Sequence, residues 1–110
     1  MNAMKNKVQL IGHVGQEPEI KTFDGGKKVA NITLATNDKY TNANGEKVED
    51  TQWHKVKAWG KLVDIIEKYV TKGKEICVEG KLTYSDYIDK NGEKRYVTEI
   101  VISDLLLLGK

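Results

Sequence analysis

Two tryptophans and two lysines alternate with smaller residues along Trp53-His54-Lys55-Val56-Lys57-Ala58-Trp59. Indole faces stack on flat rings and ammonium groups neutralise anions, so this spacing suits a surface that receives unpaired nucleic-acid bases and their phosphates. The chemistry requires a β-strand, because only a period of two puts the four residues on one side. That side then carries Trp53, Lys55, Lys57 and Trp59 over roughly 20 Å, at about 3.3 Å per residue. The opposite side carries His54, Val56 and Ala58, which suit a core. In the competing reading both tryptophans are core. That would draw Lys55 and Lys57 inside as well, and lysine is almost never fully buried without a partner. A β-bulge between residues 53 and 59 would break the alternation.

The remaining composition sets limits on such a surface. A chain of 110 residues makes one domain, with 31% charged and 39% hydrophobic residues. The formal net charge of +2 is too small for the overall field to hold a polyanion, so affinity must come from a local lysine patch and from stacking. Every basic residue except Arg95 is a lysine. Lysine lacks the bidentate fork that reads guanine edges in duplex DNA, which favours backbone contacts indifferent to sequence. The single Cys77 excludes an intrachain disulfide and a thiolate zinc cluster. No glycine-rich phosphate loop, zinc-ligand spacing or nucleophile–base arrangement is visible, so the expectation is a non-enzymatic protein with neither metal nor cofactor. Without a signal-like or membrane-length apolar segment, a cytoplasmic location is expected.

The elements that must position these residues are mostly strands. Residues 5–14 alternate, and Pro18 predicts a bend or break near Gly15-Gln16. Asp24-Gly25-Gly26 marks a turn before a second strand over 28–36, and a polar loop with Asn44-Gly45 near its tip leads to a third strand over 51–59. The period then changes. Leu62, Ile65, Ile66, Tyr69 and Val70 form a helical stripe, with Gly73 placed as a left-handed cap. Two strands follow near 75–88 and 94–104, joined by Asp89-Lys90-Asn91-Gly92-Glu93. Three strands, a helix and two strands is the order of an all-β, five-stranded Greek-key barrel of the OB type, with one α-helix between strands three and four.

Several segments together resemble the DNA-binding domain of the bacterial single-stranded DNA-binding protein family. They are Asn6-Lys7-Val8-Gln9-Leu10-Ile11-Gly12 with Gly15-Gln16-Glu17-Pro18-Glu19, Val29 to Thr36, Thr51-Gln52-Trp53-His54, Trp59-Gly60-Lys61-Leu62, and Tyr69, Lys72-Gly73 and Val78-Glu79-Gly80. The resemblance spans residues 6 to about 102. It implies stacking roles for Tyr40, Trp53, Trp59 and Tyr87, a homotetramer, and a place for His54 at a subunit interface. Tyr40 and Tyr87 stand where the family commonly has tryptophan, and Trp59 where phenylalanine is more frequent. Lys7, Lys61 and Lys72 are backbone-contact candidates by position, beside Lys55 and Lys57. The sequence closes on Leu108-Gly109-Lys110 without the family's acidic tip, so the tip's recruitment of replication and repair proteins does not carry over. Tighter and less regulated binding is expected in its absence.

The resulting expectation is a protein that binds and protects single-stranded DNA in replication, recombination and repair without regard to sequence. The readings set against it are an OB-fold replication-restart or RNA-binding module and an oligomeric protein-interaction domain.

Overall fold

The computed structural model describes residues 3–109; Met1, Asn2 and Lys110 of the expected 1–110 domain lie outside the described residues. After a short 3-10 turn at Ala3–Lys5, the elements run β1 (Val8–Val14), β2 (Glu19–Thr22), β3 (Lys28–Thr41), β4 (Lys47–Trp59), α1 (Lys61–Tyr69), β5 (Glu75–Ile88) and β6 (Lys94–Leu107). The sheet order is β1-β5-β6-β4-β3-β2, and a further β1–β3 pairing closes five strands into a barrel. The closure sits at His13↔Ala35 and Val14↔Leu34. Gly12 permits it, because a Cβ there would run into the Ala35 carbonyl.

The break expected near Gly15-Gln16 is present, between the end of β1 at Val14 and the start of β2 at Glu19. After it the chain resumes as β2, a four-residue strand that the sequence reading did not include, paired with residues 28–31 of β3. Both hairpins also extend further than the hydrophobic pattern indicates. The stretch read as a polar loop is largely the paired end of β3 and β4, in continuous register from Val29↔Trp59 to Thr41↔Lys47. Backbone ladder bonds need no apolar side chains, so exposed strand ends leave little pattern in a sequence. A side-chain bond from the Thr51 hydroxyl to Asn37 Oδ1 (2.7 Å) adds to the ladder. At the tip, Asn42 Oδ1 accepts from the Asn44 and Glu46 N–H groups.

Alternation carries Ala30, Ile32 and Leu34 of β3, Val56 and Ala58 of β4, Ile76 and Val78 of β5, and Ile100 and Ile102 of β6 into the barrel. Helix α1 contributes Val63 and Ile66 to the same core, and Val70 just past its end joins them. The buried helical stripe is therefore centred differently from the one read in the sequence: Leu62 is half-buried, whereas Ile65 and Tyr69 face solvent. The helix itself ends at Tyr69 with Val70 as C-cap. Gly73 does take positive φ (89°), but in the following turn, where its N–H donates to the Val14 carbonyl at 2.7 Å. On β6 a register shift opposite Glu79/Gly80 bends the strand pair. Gly80 lies so close to the Val101 carbonyl that no side chain fits.

Candidate nucleic-acid interface

Continuous pairing of β3 with β4 excludes a bulge between residues 53 and 59, so the alternation expected of this strand holds. Val56 and Ala58 are buried; Trp53 and Trp59 remain 62% and 42% exposed. Beside them on β3 lie Ala35, Thr33, Asn31 and Val29, paired with Trp53, Lys55, Lys57 and Trp59 in that order. None of these neighbours is large enough to cover an indole.

Each tryptophan has its own support. Trp53 lies over Gly15, where an added Cβ would approach the indole Cζ3 to 2.5 Å. Gly15 is pinned by its N–H donating to the Thr33 carbonyl at 2.8 Å, so the bend after β1 forms a bare floor for the ring. Trp59 stacks beside Phe23, with ring centroids 6.1 Å apart and planes inclined by 27°. Offset aromatic pairs at this distance are favourable. Phe23 escaped the sequence reading. It sits in the turn between β2 and β3, outside any periodic segment, and the only available signal was an isolated aromatic beside Asp24-Gly25-Gly26.

The lysines are not equivalent. Lys55 is exposed and makes no ion pair among the described residues. Lys57 is half-buried, and its Nζ lies 3.2 Å from Glu99 Oε1 on β6. Lys61 and Lys72 are exposed, and the Lys72 backbone N–H donates to Glu17 Oε1 at 3.1 Å. Lys7 is held by Glu79 at 3.4 Å, away from the tryptophan strand. Glu17, Glu19 and Glu99 join Lys55 and Asn31 around a concavity of about 320 Å³. The surface is thus cationic at points and acidic between them.

Tyr40 and Tyr87 are exposed on the two extended arms, paired with Val48 and Arg95. By alternation Tyr40 falls on the side of Leu34, opposite to Trp53, and among the described residues neither tyrosine stacks on another ring. Tyr87 shares its side of the β5–β6 arm with its partner Arg95, which alternates with the outward residue Glu99. His54, on the side facing away from the tryptophans, is half-buried, and its Nε2 lies 3.0 Å from Thr36 Oγ1. Among the described residues no three His, Cys, Asp or Glu side chains gather to hold a metal, and no helix is long and apolar enough to cross a membrane.

The chain is similar to known proteins in sequence and in fold. The chain is 45% identical over 105 residues to single-stranded DNA-binding protein 1 of Chlorobaculum tepidum, covering 94% of this chain and 65% of that one. It is 47% identical over 106 residues to the single-stranded DNA-binding protein of Bacteroides thetaiotaomicron, covering 94% and 66%. The chain thus spans just under two thirds of the length of these curated relatives. Among solved structures, the Plasmodium falciparum SSB in complex with ssDNA superposes with a TM-score of 0.87 at 39% identity, over 94% of this chain and 95% of that one. A deletion mutant of the single-stranded DNA-binding protein from Thermus aquaticus gives 0.80 at 29% identity, over 94% and 50%. The model of the single-strand binding protein family matches residues 5–108, and the chain belongs to that family.

Proposed function

We propose that this chain binds single-stranded DNA without sequence preference and performs no catalysis. The observation that carries this reading is the pair of solvent-facing indoles on β4, Trp53 and Trp59, with Lys55 between them. Each base stacked on an aromatic side chain contributes about 1–3 kcal/mol, and every base offers a π-face, so affinity and tolerance of sequence have the same source. A duplex hides those faces and is disfavoured. Binding therefore keeps separated strands from reannealing, the protective role suited to replication, recombination and repair in a cytoplasmic setting. Lys55, Lys61 and Lys72 supply phosphate contacts that weaken with salt. Tyr87 extends the path onto the β5–β6 arm, and Tyr40 engages the strand where it passes to the other side of the β3–β4 arm.

The reading includes assembly as a homotetramer. Ile11, Cys77 and Leu106 lie side by side across β1, β5 and β6, with Ile11 and Leu106 exposed. An apolar row of this kind suits self-association. His54 belongs to a subunit contact on the same reading, its ring already oriented within the chain by Thr36.

Titration with a thymidine oligomer, followed by intrinsic tryptophan fluorescence, tests the proposal. Strong saturable quenching is expected, with little response to duplex DNA of equal length. An unchanged signal together with unchanged electrophoretic mobility would favour a protein-interaction domain. A matched ribo-oligomer binding more tightly than the deoxy-oligomer would favour the RNA-binding alternative.

A further inference from the structure

The β1–β5 ladder ends where β5 is about to leave the barrel, and its last pair is Val8↔Gly80. Two residues further in the same register, position 6 falls opposite Leu82. Strand β1 begins only at Val8, and the Asn6 side chain supplies what a ladder backbone would. Its Oδ1 accepts from the Leu82 N–H at 2.9 Å, and its Nδ2 donates to the Leu82 carbonyl at 3.0 Å. A carboxamide carries both a donor and an acceptor, as a peptide group does, so it can close both bonds to one residue.

Leu82 is a particular place on β5. Between it and the end of the ladder lies Gly80, where the β5–β6 pairing shifts from Glu79↔Asp104 to Gly80↔Ile102. An extra residue in one strand bends the pair. Leu82 packs against the barrel core, whereas Tyr84 to Ile88 are all exposed. Past Leu82, β5 has only β6 as a ladder partner among the described residues, and a two-stranded ribbon is marginal without further packing. The Asn6 clamp thus spans the bend and ties the root of the β5–β6 arm to the residues ahead of β1. Both bonds are exposed, so they add little to a barrel already held by its core. What they constrain is the angle at which the arm leaves it.

We infer that Asn6 is a positioning residue for single-strand binding: it fixes the β5–β6 arm across the Gly80 bend so that Tyr87 meets the strand held by the β4 indoles. The inference rests on the single-strand reading above and deepens it, because the reach of the site then depends on a residue ahead of the first strand. Without the clamp the arm swings about the bend, and binding at Tyr87 carries the added cost of ordering it.

Thymidine-oligomer titrations of the full chain test this with Asn6→Leu, which keeps the bulk of the side chain and removes both bonds. The variant is made in the parent and in a Tyr87→Ala background, and each protein is first checked for a cooperative thermal transition. Asn6→Leu is expected to weaken binding about fivefold in the parent and less than about twofold once Tyr87 is gone. Hydrogen exchange should quicken at β5 amides beyond Leu82 and stay unchanged at Ile32 and Val56 in the barrel. Should Asn6→Leu fail to fold, Asn6→Asp takes its place in both backgrounds; it keeps the acceptor and sets a second oxygen against the Leu82 carbonyl. Equal losses in the two backgrounds mark a general structural role and overturn the inference. Parental affinity in Asn6→Leu overturns it too, as does parental affinity in Tyr87→Ala, which leaves the arm nothing to deliver; in both cases the β4 surface stands. Failure of the parent chain to bind the oligomer removes the single-strand reading and the role of the clamp with it.

Discussion

Lys57 and Glu99 face each other across the parallel contact of β4 and β6, 3.2 Å apart, with their side chains only 27% and 19% exposed. The ammonium that the β4 alternation sets between two indoles is therefore already engaged by a carboxylate within the chain. A phosphate approaching this strand meets a free charge at Lys55 and a compensated one at Lys57.

Removing the carboxylate releases that charge. Glu99→Gln is expected to raise affinity for a thymidine oligomer at low salt and to steepen the salt dependence by about 0.7 in log K per decade, the contribution of one more neutralised phosphate on a single strand. Lys57→Gln should leave the slope nearly unchanged, whereas Lys55→Gln should reduce it. Titrations at a series of salt concentrations distinguish these outcomes. Equal slope losses for Lys55→Gln and Lys57→Gln would show that Glu99 yields Lys57 to the ligand.

Trp53 depends on the absence of a side chain at residue 15. Gly15 has no positive φ, so alanine fits its backbone, but the new Cβ would press on the indole. Because Trp53 is exposed, the ring tips outward instead of straining the barrel. Gly15→Ala should therefore change folding stability by less than about 1 kcal/mol, since surface changes away from special features are usually small. Oligomer binding should fall by about 1 kcal/mol, the lower end of one stacking contact. Urea denaturation and fluorescence titration on the same variant measure the two terms separately.

The tip of the β5–β6 arm is organised by Asp89. Its Oδ2 accepts from Arg95 Nε at 2.8 Å, and its Oδ1 accepts from the Asn91 and Glu93 N–H groups, each at 2.9 Å. The Arg95 guanidinium first, and these backbone donors after it, hold the Asp89 carboxyl below the usual carboxylate range. A folded pKa below the unfolded one means that the stabilisation is complete above the unfolded value and disappears as pH falls through the folded value. The arm tip should accordingly stay ordered through mildly acidic pH. Carbon-detected NMR titration of Asp89 should show a midpoint below that of an ordinary aspartate, moving upward in Arg95→Ala. A normal midpoint in the parent chain would contradict this.

Legibility in the sequence followed the physics of each element. The β4 alternation was readable because charged and apolar residues cannot exchange faces of a barrel strand. It placed Trp53, Lys55 and Trp59 on the outer face, with Val56 and Ala58 inside. The helix was readable from its change of period, although the choice of Ile65 and Tyr69 over Val63 as buried residues depended on how α1 meets the barrel end. Strand β2 has four residues, three of them exposed, and follows a proline, so hydrophobicity carried no trace of it. The outer halves of β3 and β4 are held by ladder bonds that any residue except proline supplies. Tyr40 was read as a loop residue for that reason. The Lys57–Glu99 pair and the Phe23–Trp59 stack join separate strands and turns, and only tertiary structure brings such residues together.

Solvent access to the two indoles can be measured directly by acrylamide quenching of tryptophan fluorescence, with and without a bound thymidine oligomer. Both indoles should be readily quenched in the free protein and strongly protected in the complex. Indoles already shielded in the free protein, or equally open with the oligomer bound, would contradict the assignment of Trp53 and Trp59 as the stacking surface.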